Sequence, residues 1–274
     1  MPDLPKIVYF GSDAICLPGL QYLHEQARDL CTLAAVVSQP DRRQGRGKKL
    51  QQNSVAEFAS SKGIPLLQPE KPNAALADWL CAQKVALAFV MAYGHFLPKA
   101  VREAPKHGML NFHASILPAY RGASPVEAAI ALGEAETGVS LMQVVKEMDA
   151  GAVADCKRVF IENVDTSPTV RSKVGQAVIT LLERNLKASL LGALTLLPQN
   201  ASLATQCRKI RKEDGALDFA QPAASIDARL RAFTPWPGGY FDHGETRIKV
   251  GKCSLAESIT SEQPGSVIVA GETL

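Results

Sequence analysis

Short apolar segments alternate with helical patterns through most of the chain, and this alternation constrains the fold more than any other feature. Strands are predicted at residues 6–10, 33–38, 64–68, 85–92, 109–113, 139–145 and 156–161. Helices are predicted at residues 17–30, 55–62, 73–83, 126–132 and 166–197, the last with possible interruptions at Gly175 and Gly192. The strands are apolar throughout instead of alternating with polar residues, which is typical of strands buried on both faces. The sequence therefore predicts an α/β fold with a mostly parallel sheet covered on both faces.

The composition changes after residue 197. Residues 199–218 are polar, a helix is predicted at 223–232, and short β-like segments at 240–242, 246–250 and 266–269 are separated by Gly and Pro. Such segments indicate a small antiparallel barrel. Since a barrel must close and few strands remain, we expect this barrel to be incomplete. We therefore predict a first domain at 1–197, a linker at 198–215 and a barrel domain at 216–274.

Composition narrows the class of protein. Hydrophobic residues make up 46% of the chain and charged residues 21%, an ordinary globular balance. No apolar run approaches the roughly 20 residues needed to span a bilayer, and the N-terminus lacks a signal-peptide pattern. We expect a cytoplasmic monomer with no membrane partner. None of the six cysteines forms a C-x-x-C pair, which favours buried free thiols over a zinc site or disulfides, so no metal is expected.

An amide and an imidazole lie two residues apart at the end of a predicted strand. Asn111 and His113 point to the same side of that strand, because side chains alternate between its faces. Asp149, in a turn that ends at Gly151, follows the next predicted strand. A carboxylate beside an imidazole orients the ring and favours its charged form. This set suits a reaction in which a carbonyl oxygen gains negative charge and a proton moves. A structural role for His113 remains the alternative.

Five cations fall within eight residues after the second predicted strand: Arg42, Arg43, Arg46, Lys48 and Lys49. We interpret this segment as a flexible basic loop at the rim of the site, suited to a phosphate backbone. The alternative is a solvated surface loop. The chain has no Walker loop, and Gly11-Ser12-Asp13 after the first strand lacks the G-x-G-x-x-G dinucleotide pattern.

The segment around residues 88–98 runs from a strand into a glycine turn. Its apolar side chains and free backbone groups suit a flat heterocycle, with a buried strand and its loop as the alternative reading.

Taken together, these segments resemble the methionyl-tRNA formyltransferases over almost the whole chain, from residue 6 to about 269. The landmarks are Phe10-Gly11-Ser12, Gln39-Pro40-Asp41-Arg42, Ala92-Tyr93-Gly94, Asn111-Phe112-His113, Ser115-Ile116-Leu117-Pro118, Met148-Asp149-Ala150-Gly151 and Pro235-Trp236-Pro237-Gly238. The resemblance implies a Rossmann-like formyltransferase domain followed by an OB-like barrel, the barrel being shortened here.

The resemblance also implies roles for individual residues. Asn111, His113 and Asp149 match the family's catalytic triad. The segments that match its contacts with the co-substrate 10-formyltetrahydrofolate are Ser115, Ile116, Leu117 and Pro118, together with Phe89, Met91, Ala92, Tyr93 and Gly94. The five cations between Arg42 and Lys49 match the loop that enters the acceptor stem of the initiator methionyl-tRNA. The family carries an acidic residue where this chain has Ala152.

Three rival functions share some of these features. A formyltransferase acting on a small amine, such as a nucleotide sugar, would need the triad but neither the basic loop nor the barrel. A non-catalytic RNA-binding protein would keep the loop without needing the triad. A hydrolase that releases formate would use water in place of the amine.

Overall fold

A seven-stranded sheet forms the centre of the protein. The computed structural model describes residues 4–44, 49–256 and 262–267. The sheet strands are β1 (Lys6–Phe10), β2 (Thr32–Val37), β5 (Leu66–Leu67), β6 (Leu87–Val90), β7 (Met109–His113), β9 (Glu136–Gln143) and β10 (Val153–Phe160). Smaller pairings use β3 (Arg42–Gln44), β4 (Lys49–Gln51), β8 (Arg121–Gly122), β11 (Gln206–Cys207), β12 (Gly239–His243) and β13 (Thr246–Val250).

Seven α-helices are described. They are α1 (Leu17–Glu25), α2 (Ser54–Ser61), α3 (Ala74–Ala82), α4 (Lys99–Glu103), α5 (Pro125–Ala131), α6 (Ser167–Leu191) and α7 (Ala223–Ala232). Short 3-10 turns lie at Ala14–Cys16, Ala201–Leu203 and Lys212–Gly215. Composition and spacing predicted all of the longer helices. They did not predict α4, which is a helix of only five residues after Pro98. None of the helices in the described part of the chain is long and apolar enough to cross a membrane.

The order of strands in the sheet is β10-β9-β7-β6-β1-β2-β5. The five neighbouring strands β7, β6, β1, β2 and β5 are parallel to one another. Strand β9 runs antiparallel to β7, and β10 runs antiparallel to β9. Alternate residues of β1 belong to two different hydrophobic clusters, with Ile7 and Tyr9 in one and Val8 and Phe10 in the other. Both faces of the sheet are therefore covered, which confirms the predicted α/β architecture.

Two helices, α1 and α6, end about five residues before their predicted ends, whereas the other predicted helices differ by a residue at most at either end. Helix α1 ends at Glu25 although apolar spacing continues to Leu30, because the backbone leaves the helix in turns closed by bonds such as Cys31 N to Ala27 O. Helix α6 runs through Gly175 without a break. A Cβ there would lie 2.9 Å from the carbonyl oxygen of Ile15, so this glycine allows close packing. Gly192, at φ 66°, ends the helix in the left-handed conformation that glycine favours.

The region after α6 packs against the main sheet. Leu197 exchanges backbone hydrogen bonds of 2.9 Å with Val153, and β11 pairs with β8 in parallel. Ala232 and Phe233, at the end of α7, belong to one of the two hydrophobic clusters of the sheet. In the predicted barrel region the structure describes one antiparallel hairpin, β12–β13. The strand predicted at 266–269 is absent from its described residues 266–267, and 268–269 lie outside the described ranges. The three-part domain division stays a prediction.

All six cysteines are free, as predicted, but not all of them are buried as predicted. Cys16 and Cys31 are buried, Cys207 and Cys253 are half-buried, and Cys81 and Cys156 are exposed. Exposure arises because Cys81 lies on the outer side of α3 and Cys156 on the edge strand β10. The thiol of Cys16 donates to the carbonyl of Met91 at 3.0 Å. Burial raises the pKa of Cys16 to about 12 and that of Cys31 to about 11.

These environments predict an alkylation pattern. Only a thiolate reacts, so at pH 8 iodoacetamide should label Cys81 in the folded protein and label Cys16 and Cys31 only in urea. Peptide mass spectrometry with and without urea measures this. A Cys81→Ser variant is the control, since it should lose the label at residue 81 and keep the urea-dependent labels at Cys16 and Cys31. Labelling of Cys16 at the rate of Cys81 in the folded protein would contradict the described burial.

Candidate active site

The centre of the site is the end of β7. Asn111 is half-buried and pairs with Val90 of β6 on one side and Met142 of β9 on the other. His113 is only 6% exposed and pairs with Ser140. Because β6 and β7 are parallel, the turn after β6 and the polar end of β7 meet at one edge of the sheet. The two side chains predicted to share a face therefore lie where a sheet of this type binds ligands.

Asp149 reaches this site by a longer route than expected. Strand β9 is antiparallel to β7, so it ends beside Leu110 at the start of β7 and not beside His113. The loop of residues 144–152 then runs back to the site. Its base is closed by a hydrogen bond of 2.9 Å from Gln143 N to Ala152 O. Asp149 has φ 50°, a left-handed conformation that is uncommon for a residue with a side chain. The site therefore depends on a strained loop.

The imidazole of His113 is fixed on both nitrogens. Its Nε2 lies 2.8 Å from the carbonyl oxygen of Tyr120, and because a carbonyl only accepts, Nε2 carries a hydrogen and donates it. Its Nδ1 faces Asp149 Oδ2 at 3.6 Å. The same Oδ2 accepts a hydrogen bond from the backbone N–H of Gly122 at 2.9 Å. The ring nitrogen that does not contact Tyr120, Nδ1, therefore faces the carboxylate.

A cavity of about 730 Å³ brings the predicted residues together. Asn111, His113 and Asp149 all line it. Of the five predicted folate contacts in and after β6, four also line it: Met91, Ala92, Tyr93 and Gly94. Phe89 does not line it, because its ring is fully buried and stacks on Phe112 with centroids 5.4 Å apart.

The segment from Ser115 to Pro118 lies beside the cavity and is not among the residues that line it. The Ser115 hydroxyl donates to Ala119 O at 2.6 Å. The Ser140 hydroxyl donates to Ser115 O at 2.7 Å and accepts from Leu117 N at 3.1 Å. Ile116 packs against Gly138, where a Cβ would come within 2.3 Å of its Cδ1. These contacts hold the loop that follows His113, and the predicted contact with folate remains a prediction.

Several residues that line the cavity were not among the predicted site residues. They are Gln39, Asp13, Arg171, Lys209, Ile210 and Trp236. Asp13 and Gln39 follow β1 and β2 at the edge where the site lies, so the predicted topology offered a signal for both. Arg171 on α6 and the three residues after β11 are remote in sequence, and no local pattern predicted them.

Arg171 connects two carboxylates at one wall of the cavity. It lies 2.8 Å from Asp13 and 3.1 Å from Glu127. Burial acts to lower the pKa of Arg171, but the two carboxylates outweigh it, so the net pKa is above its ordinary value. A second cavity of about 550 Å³ adjoins this wall and shares Asp13, Arg171 and Trp236 with the first. Arg171 is thus a fixed charge between two spaces.

The described flanks of the basic segment, residues 42–44 and 49–51, pair as an antiparallel ribbon where a loop was expected. Strand β3 pairs with β4, with Arg42 opposite Gln51 and Arg43 opposite Leu50. Arg42, Arg43 and Lys49 are exposed. Arg46 and Lys48 lie outside the described residues. Within the described ranges, no group of three or more His, Cys, Asp or Glu is placed to hold a metal ion.

Comparison with known proteins agrees with this geometry. Residues 6–186 match the formyl transferase family and residues 209–273 match the formyl transferase C-terminal domain. A methionyl-tRNA formyltransferase of Sorangium cellulosum is 37% identical, over 98% of this chain and 86% of its own length. One of Myxococcus xanthus is 38% identical, over 97% and 84%. The chain belongs to the methionyl-tRNA formyltransferase family.

Solved structures show the same fold in this and other formyltransferases. A methionyl-tRNA formyltransferase from Clostridium thermocellum superposes with a TM-score of 0.66 at 14% identity, over 92% of this chain and 94% of its own. An N-formyltransferase from Helicobacter canadensis, in complex with folinic acid and dTDP-3-aminofucose, gives 0.67 at 18% identity, over 89% and 86%. Family membership makes this chain a formyltransferase that uses a folate-derived formyl donor. At these identities the structures add the fold alone.

The crowding at Gly151 generates a stability prediction. A Cβ there would lie 1.8 Å from the carbonyl oxygen of Gln143, so Gly151→Ala should lower the free energy of unfolding by about 2 kcal/mol. Gly251→Ala is the matched control, since a Cβ there meets nothing within 4 Å, and it should change stability by less than about 0.5 kcal/mol. Urea titration compares them. Equal effects would show that the Asp149 loop is not packed as described.

Proposed function

We propose that this formyltransferase transfers the formyl group of 10-formyltetrahydrofolate to the α-amine of methionyl-tRNA, producing N-formylmethionyl-tRNA for translation initiation. The observation that carries the proposal is the meeting of Asn111, His113 and Asp149 in one cavity, in a chain 37–38% identical to methionyl-tRNA formyltransferases. The same chain carries an exposed basic ribbon, which a small-molecule formyltransferase would not need.

In the proposed reaction the amine of the acceptor forms a bond to the formyl carbon, the bond to folate N10 breaks, and the amine proton is transferred to N10. Negative charge develops on the formyl oxygen as the amine attacks. In this proposal the Asn111 side-chain amide donates a hydrogen bond to that oxygen, which is supported by Asn111 lining the same cavity as His113.

His113 and Asp149 handle the proton. Because Nε2 donates to Tyr120, Nδ1 is the atom that gains or loses a proton, and it faces the Asp149 carboxylate at 3.6 Å. Asp149 is itself oriented by the Gly122 N–H, which donates to the same carboxylate oxygen that faces His113. Asp149 thus stabilises the imidazolium form and helps transfer the amine proton.

We place the folate donor against the turn after β6. The cavity volume lies in the range that small-molecule sites occupy, and the turn offers both apolar surface and backbone groups. Ala92 and Gly94 have positive φ angles of 44° and 78°, which turns the backbone at the cavity wall. Gln39 donates to Tyr93 O at 2.8 Å and fixes this turn. Phe89 supports the turn from the core, and Ser115–Pro118 form the adjoining loop.

We place the initiator tRNA against the ribbon and the residues that follow β11. Arg42, Arg43 and Lys49 are exposed cations on the ribbon, and Lys209 lines the cavity. We assign the adjoining second cavity, of about 550 Å³, to the acceptor end. We further propose a monomer that works in the cytoplasm, with residues 216–274 as the tRNA-binding domain.

The deciding assay compares acceptors. With 10-formyltetrahydrofolate as donor, formyl transfer should occur to methionyl-tRNA and not to free methionine or to an amino-sugar nucleotide. Radioactive formyl incorporation into each acceptor is the measurement. Transfer to the amino sugar alone would replace the proposed acceptor, formate release without an acceptor would indicate a hydrolase, and folate binding without any transfer would indicate a binding protein.

His113 should be essential to turnover. His113→Ala removes the group that moves the proton, so kcat should fall by about 100-fold or more while the Kd for the folate changes little. Steady-state kinetics and folate titration by fluorescence give the two numbers. If the rate and the folate affinity fall together, His113 serves binding instead of proton transfer.

Charge on the ribbon should govern tRNA binding. Replacing Arg42 with Ala should weaken binding and reduce the slope of log affinity against log salt by about one unit, because one phosphate contact is lost. Filter binding from 50 to 300 mM KCl measures the slope. Arg28→Ala is the control, since exposed Arg28 follows α1 at the opposite edge of the sheet. An unchanged slope in Arg42→Ala would remove the ribbon from the interface.

A further inference from the structure

We infer that Gln199 is a positioning residue, which holds the loop of Asp149 in the geometry that faces His113. This inference rests on the proposed function, since it gives Gln199 importance only through Asp149. Gln199 lies in the segment that composition marked as a linker, far from the site in sequence. Residues 197–207 are called the strap below.

The side-chain amide of Gln199 has a partner at each end. Its Nε2 donates to the carbonyl oxygens of Asp149 at 2.8 Å and Gly151 at 2.7 Å. Its Oε1 accepts from Arg121, at 3.0 Å from Nε and 2.7 Å from Nη2. Both hydrogens and the oxygen of one half-buried amide are therefore in use. A side chain so fully bonded fixes the turn from Asp149 to Gly151 relative to Arg121.

Arg121 lies between the two groups that orient the catalytic pair. Tyr120, before it, accepts the hydrogen bond from His113 Nε2, and Gly122, after it, donates its N–H to Asp149 Oδ2. Gln199 thus ties the loop that carries Asp149 to the segment that contacts both His113 and Asp149. One amide sets the distance between the two halves of the pair.

The backbone explains why such a tie is required. Asp149 and Tyr120 both have positive φ angles, of 50° and 59°, and residues with side chains keep such angles only where the surroundings hold them. The loop after β9 is also long, because β9 ends at the far side of β7. Contacts from outside the loop are therefore needed to keep the backbone of Asp149 in its left-handed conformation.

The strap itself is anchored on both sides of Gln199. Leu197 bonds to Val153 in both directions at 2.9 Å. Thr205 accepts through its hydroxyl from Tyr120 N at 2.8 Å and through its carbonyl from Arg121 N at 2.9 Å. Gly122 passes so close to Cys207 that a Cβ would lie 2.0 Å from the Cys207 carbonyl oxygen. Gln199 therefore works from a fixed support.

Two substitutions test the inference. Gln199→Ala removes both ends of the tie, and Gln199→Glu keeps an acceptor for Arg121 but cannot donate to the Asp149 and Gly151 carbonyls. Both should lower kcat by about 10- to 100-fold, since small displacements of a catalytic group cost this much, with KM for both substrates changed less than about twofold. Gln206→Ala, which removes an exposed amide elsewhere on the strap, should behave like the wild type.

A double-mutant cycle with Asp149→Asn separates positioning from a general structural effect. In the Asp149→Asn background, Gln199→Ala should cost less than about twofold, because the group it positions is already lost. Equal losses in both backgrounds would overturn the inference. So would a Gln199→Glu enzyme of full activity, because it would show that the tie to Arg121 alone matters.

A structural readout keeps the test independent of the assay. Hydrogen exchange by mass spectrometry should be faster at residues 145–152 in Gln199→Ala and Gln199→Glu than in Gln206→Ala, with thermal unfolding reporting that each variant is folded. Unchanged exchange there would overturn the inference even if wild-type activity is as proposed. Faster exchange in a protein that transfers no formyl group to methionyl-tRNA would leave the tie standing and remove the proposed function.

Discussion

The pairing of β7 with two neighbours of opposite direction is the constraint on which the site depends. Its parallel neighbour β6 ends at the same edge and places the turn of Met91 to Gly94 beside Asn111 and His113. Its antiparallel neighbour β9 ends at the opposite edge, so Asp149 must return through an irregular loop. The strand order thus places the turn after β6 beside β7 directly, whereas the Asp149 carboxylate needs contacts from other segments to hold it there. The crowded glycines and the strap are consequences of this arrangement.

The sequence predicted the sheet well because its strands are buried. Strands β1 and β7 and helix α7 have the predicted bounds to the residue. Apolar runs bounded by Gly and Pro leave little choice of register or length. The predicted end of α1 was wrong because the apolar residues Ala27 and Leu30 continue the helical spacing after the helix has ended at Glu25. Periodicity records which side chains are buried, and a turn can bury them equally well.

The site was predictable only in part, and the division has a physical reason. Asn111 and His113 lie in a strand, and Asp149 in a turn, that the sequence predicts, so their neighbourhood follows from the order of elements. Gln199 contacts Asp149 and Gly151, which are 50 and 48 positions away. Arg171 contacts Glu127, which is 44 positions away, and Asp13, which is much farther along the chain. A glutamine in a polar segment carries no periodic signal, so only the folded chain reveals that it bonds to the Asp149 loop.

The site also shows how strain and support balance in this fold. A left-handed residue with a side chain costs on the order of 1 kcal/mol, and Asp149 and Tyr120 each carry such a cost. A net hydrogen bond contributes about as much, and the amide of Gln199 supplies several to the affected segments. The strained backbone that aims Asp149 at His113 is therefore offset by bonds from a segment that continues into Lys209 and Ile210 at the cavity wall. The segment from Gln199 to Ile210 thus contacts the Asp149 loop at one end and lines the cavity at the other. The geometry of His113 and Asp149 is therefore physically linked to the wall against which the acceptor is proposed to bind.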